Sequence, residues 1–63
     1  MDIQTLKALA AANKKLPDNA FFAYEGIEVA EFNFTMKLGI ELVNGTSVGV
    51  SSIQPARFSL YFD

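Results

Sequence analysis

The chain contains no cysteine, no histidine and no tryptophan. Without cysteine it cannot be a disulfide-stapled secreted scaffold. Without Cys or His it has no ligands for a structural zinc site, and its carboxylates are too scattered for an oxygen cage. The same absences remove the usual nucleophile–base pairs. Ser47, Ser51, Ser52 and Ser59 have no evident base partner and read as ordinary strand or turn serines. Basic residues are also few: five Lys and Arg stand against seven Asp and Glu, for a net charge of −2. No apolar run approaches the ~20 residues that a membrane helix requires.

What is present is apolar surface. Apolar residues make up 51% of the chain and charged residues 19%, the reverse of a disordered composition. The expectation is one soluble globular domain over residues 1–63 that takes no cofactor and no metal. A domain of 63 residues has little interior. Chains this short usually need a disulfide, a metal or self-association to reach useful stability. The first two lack their residues, so the apolar excess points to association.

Met1-Asp2-Ile3-Gln4-Thr5 shows no basic segment followed by an apolar one, so no secretory signal is expected and the expected location is cytoplasmic. Asn33-Phe34-Thr35 and Asn44-Gly45-Thr46 match the glycosylation sequon. With no secretory route they read as coincidental.

Residues 2–15 read as a helix. Asp2 is a suitable N-cap, and Lys14 and Lys15 sit where cations favour the helix dipole. Ile3, Leu6, Leu9 and Ala10 form a narrow apolar stripe. Pro17 ends the helix, because Leu16 before it is pushed out of the helical region. From Ala20 the period changes to two. Residues 20–24 read as an aromatic first strand, and Glu25-Gly26 as a tight turn.

The strongest pattern covers 27–43. Phe32, Phe34, Met36, Leu38, Ile40 and Leu42 alternate with Asn33, Thr35, Lys37, Gly39 and Glu41, which predicts one long strand with one buried face. Ile27 and Val29 have the opposite parity, and a bulge near Ala30-Glu31 would bring both sets to one side. Asn44-Gly45 predicts a hairpin. A three-residue loop pairing Leu42 with Thr46 sets Val48 opposite Ile40 and Val50 opposite Leu38, with Gly45 in the left-handed position. Residues 46–53 and 57–62 complete the set, with a turn at Gln54-Pro55. The predicted architecture is α+β: an N-terminal helix packed on a four-stranded antiparallel meander, in two layers.

A length mismatch follows from that reading. The helix is about 20 Å long, while a strand over 32–42 is about 36 Å long. A second protomer would cover the excess, at roughly 1.5–3 kcal/mol for each large apolar side chain. The competing readings are a coiled sheet that wraps the helix, or a strand broken at Gly39.

Catalytic chemistry is sparse. Glu25, Glu28, Glu31 and Glu41 are spread along strands and turns and read as solvated charges rather than an acid–base pair. Gly26, Gly39, Gly45 and Gly49 do not make a phosphate-binding loop before a helix. Nucleic-acid binding is disfavoured, because only Lys7, Lys14, Lys15, Lys37 and Arg57 could neutralise phosphate. Two candidate interaction surfaces remain. In the preferred hairpin register Gly39 faces Gly49, flanked by Lys37 and Ser51 on one side and Glu41 and Ser47 on the other. Bare backbone there marks either a docking patch or a sheet bend. The last strand, with Phe58, Leu60, Tyr61 and Phe62, carries charge only at its ends and is a candidate dimer seam if it lies at a sheet edge. Its other reading is an interior core strand.

The functional expectation is a small, non-catalytic, self-associating module that binds another protein, in the manner of an inhibitor or modulator carried by a phage or mobile element. The alternatives are a small-molecule binder with an aromatic pocket between protomers, and a structural subunit of a larger assembly.

Overall fold

A computed structural model describes residues 1–63. The helix α1 spans Ile3–Lys14, flanked by Asp2 as N-cap and Lys15 as C-cap. The Asp2 carboxylate accepts the Thr5 N–H at 2.8 Å, which satisfies one orphan donor of the first turn. Only Leu6 and Ala10 of the helix are buried, and Ile3 is left exposed. The apolar stripe is therefore narrower than its spacing suggests.

Strand β1 (Ala20–Tyr24) and strand β2 (Ile27–Asn33) pair antiparallel around Glu25-Gly26. Both turn residues have positive φ, 50° and 82°, as a two-residue type I′ turn demands. The expected bulge is present. Val29 pairs with Leu42 and Glu31 with Glu41, leaving Ala30 as the extra residue. On one side of the bulge β2 pairs with β1 through Ile27 and Glu28; its other partner is β3. The two ladders thus meet where a bulge bends the strand.

Residues 27–43 do not form one strand. β2 ends at Asn33, residues 34–38 leave the sheet, and β3 (Gly39–Leu42) returns antiparallel to β2. The cause is local. The Asn33 side-chain oxygen accepts the Thr35 N–H at 3.0 Å and the Thr35 hydroxyl at 2.7 Å, an Asx turn that competes with the ladder. The alternation through Phe34 and Met36 belongs to this loop, so the strand-length mismatch does not exist. Asn44 accepts the Thr46 N–H at 3.0 Å in the same way. Both Asn-x-Thr triplets therefore act here as turn formers.

The β3–β4 hairpin has the expected register, with Ile40 opposite Val48 and Gly39 opposite Gly49. The Leu42 N–H donates to the Thr46 carbonyl at 2.8 Å, and Gly45 sits at φ 89°. Strand β4 covers only Ser47–Gly49, because Val50–Ser52 coil into a 3-10 turn.

Strand β5 (Phe58–Phe62) does not lie beside β4. It pairs antiparallel with β1, giving the order β4-β3-β2-β1-β5. The sheet has five strands, not four, and is not a plain meander. Several contacts steer the chain across. Ile53 is buried, and the Gln54 N–H donates to the Tyr24 hydroxyl at 3.0 Å. Pro55–Arg57 form a second 3-10 turn, and the Glu25 N–H donates to the Arg57 carbonyl at 3.0 Å. Arg57 also pairs with the Glu25 carboxylate at 3.1 Å.

Leu6, Tyr24, Val29, Ile40, Leu42 and Ile53 form the core. Only nine of the 63 residues are buried, although half the chain is apolar. Much of the apolar surface therefore remains within reach of solvent.

Candidate functional site

Strand β5 is an edge of the sheet. Its pairing with β1 sets Phe58 opposite Tyr24, Leu60 opposite Phe22 and Phe62 opposite Ala20. Those side chains share the face that begins at the core. Tyr24 meets Phe58 edge-to-face at 5.0 Å between ring centroids. The row then runs past the core: Phe58 is half-buried, Leu60 is 45% exposed and Phe62 is 65% exposed. On the opposite face Phe21 stacks on Tyr61 at 5.5 Å, and Tyr61 is 43% exposed.

The backbone of this edge is also available. The Glu25 N–H bonds the Arg57 carbonyl, and the Asp63 N–H bonds the Asn19 carbonyl at 2.7 Å. Alternation along an antiparallel ladder then turns the polar groups of Ser59 and Tyr61 toward β1. Those of Leu60 and Phe62 point outward, along with the Phe58 carbonyl. The Phe58 N–H is occupied by the Pro55 carbonyl. No charge lies within Phe58–Phe62; Arg57 and Asp63 flank it. The strand carries none of the usual devices against edge pairing, such as a central lysine, a proline or a bulge.

The second surface is an open groove of about 550 Å³ between residues 34–38 and the β3–β4 hairpin. Lys37, Glu41, Gly49 and Ser51 line it together with Asn33 and Met36. With Ser47, which also lines it, five of the six residues singled out around the glycine pair are thus brought to one surface. Gly39 is not among them. It is buried at φ 152°, and a Cβ there would fall far inside contact with the Val48 carbonyl oxygen. Its missing side chain is accounted for by close approach of β4. Gly49 has open space around it, with the Leu38 carbonyl 4.0 Å from a notional Cβ. Met36, fully exposed at the loop, was hidden in the sequence by its place in the alternation. The signal that could have revealed it is the Asn33-x-Thr35 turn.

No group of three or more His, Cys, Asp or Glu is placed to hold a metal ion. The Asp2 carboxyl lies below the usual carboxylate range because it accepts the Thr5 N–H, and it serves the helix cap rather than either surface. No helix is long and apolar enough to cross a membrane. The chain matches no protein-family model, no curated protein and no solved structure.

Proposed function

We propose that this chain is a non-catalytic, self-associating module that acts in the cytoplasm by binding another protein. The observation that carries the reading is the exposed apolar edge at Leu60, Tyr61 and Phe62 on a chain that buries only nine residues. Large apolar side chains beside unpaired strand groups mark an interaction surface rather than a solvent face. The groove at Met36, Lys37 and Gly49 supplies a second surface, separate in sequence, for a protein partner. Action as an inhibitor or modulator fits a small chain that offers two separate surfaces to a protein partner.

Sedimentation equilibrium over a micromolar concentration series tests the reading. A mass rising above 6.9 kDa with concentration is expected. A constant 6.9 kDa would overturn self-association. Capture of one protein by the native chain, lost on Met36→Asp, is the expected sign of a partner at the groove.

A further inference from the structure

We infer that β5 pairs antiparallel with β5 of a second copy, on a two-fold axis through Leu60, and joins the two sheets into one. The inference deepens the self-association proposed above and rests on it.

Two-fold symmetry requires the same strand on both sides, so an antiparallel pair must centre on one residue or between two. The outward groups belong to Leu60 and Phe62, with the Phe58 carbonyl. Centring on Leu60 makes it a hydrogen-bonded self-pair, in which each Leu60 N–H meets the partner's Leu60 carbonyl. Phe62 N–H then meets the partner's Phe58 carbonyl, and symmetry repeats the contact. The one outward group already occupied, the Phe58 N–H, stays on Pro55. On the core-side face Leu60 packs on the partner's Leu60, and Phe62 packs on the partner's Phe58. This covers the side chains that run past the core.

Charge selects the same register. With Leu60 on the axis, Arg57 lies opposite the partner's Asp63, on the face that also carries Ser59 and Tyr61. It is a non-hydrogen-bonded position, where side chains come closest. Both ends of the interface therefore hold opposite charges. Arg57 is half-exposed beside Glu25, so a second carboxylate can approach it without breaking the existing pair. Sliding the register by two residues puts Arg57 opposite the partner's Tyr61 or beyond its Asp63, and the charge match is lost. The same chemistry names the occupant: an identical strand satisfies both charges at once.

The chain has no cysteine, so single thiols report the register cleanly. A hydrogen-bonded antiparallel pair places its Cα atoms about 5.5 Å apart, inside the ~4.4–6.8 Å window for a disulfide. Leu60→Cys is expected to cross-link to dimer under mild oxidation at least about tenfold faster than Ser59→Cys or Tyr61→Cys, whose symmetry mates lie diagonally. Arg57→Asp or Asp63→Arg alone sets like charges opposite each other and should weaken dimerisation about tenfold. Mixing the two variant chains restores both opposite-charge contacts, and the mixture should recover near wild-type association. Asp63 is exposed, so its variant leaves the fold intact. If the wild type sediments as a dimer but Leu60→Cys cross-links no faster than its neighbours and mixing gives no recovery, association runs through another surface and this inference falls alone. If the wild type stays monomeric, both fall.

Discussion

Gly39 and Gly49 face each other in one hairpin, yet their surroundings differ. Gly39 holds a backbone conformation that side chains rarely adopt, with the Val48 carbonyl where its Cβ would go. Gly39→Ala should therefore cost at least ~1–3 kcal/mol, and each kcal/mol lowers Tm by ~4–8 °C in a domain of this size. Gly49→Ala meets open space and should stay within about 0.5 kcal/mol of wild type. Thermal melts of the two variants check the contrast; equal losses would mean that Gly39 is not held against Val48. Asp2 gives a pH-dependent contribution of the opposite kind. Its folded pKa lies below the ordinary 3.8, so the charged cap stabilises the fold above that value. The contribution is lost as pH falls through the lowered value. Asp2→Asn keeps the acceptor but not the charge. The Tm gap between the two proteins should be present near neutral pH and shrink below pH 3.8, as melts across a pH series would show.

At the scale of elements, the helix contributes little area but one well-seated side chain. Leu6 is fully buried in the core cluster with Tyr24, Val29, Ile40, Leu42 and Ile53. Leu6→Ala should cost ~2–5 kcal/mol, a large share of the ~3–9 kcal/mol available to a domain of this length. Chemical denaturation should find the midpoint sharply lowered, or the chain unfolded at ambient temperature. A small change would mean that α1 does not anchor the core. The helix, its Asp2 cap, the β1–β2 turn, the Ala30 bulge and the β3–β4 register were all legible, because each rests on a local rule: a cap, a left-handed turn pair or a parity switch. The break at 34–38 was not. Phe34 and Met36 extend the alternation of Phe32 and Ile40, and hydrophobic parity hides a turn whose cause is the Asn33 side chain. The placement of β5 was not legible either. It depends on Tyr24 holding Gln54 and on Glu25 holding Arg57, contacts about thirty residues apart in sequence. Glu41, Ser47 and Gly49 share a surface through the hairpin register, whereas Lys37 reaches it from the loop and Ser51 from the 3-10 turn, neither of which the alternation shows. Phe58, Leu60, Tyr61 and Phe62 were found as a strand, and only the fold could put it at an edge.

At the scale of the molecule, a small core and an exposed apolar edge are two sides of one economy of size. Nine buried residues leave the monomer short of interior, and a five-residue strand with outward polar groups is the surface best suited to extend it. Association should make Tm rise with protein concentration, because only the folded chain pairs. The most direct measurement is amide hydrogen exchange, residue by residue, at concentrations above and below the association midpoint. Ser59 and Tyr61, bonded to β1, should stay protected at both concentrations. Leu60 and Phe62 should gain protection only at the higher one. Rapid exchange of Leu60 and Phe62 amides in a sample whose mass is already that of a dimer would contradict pairing through β5.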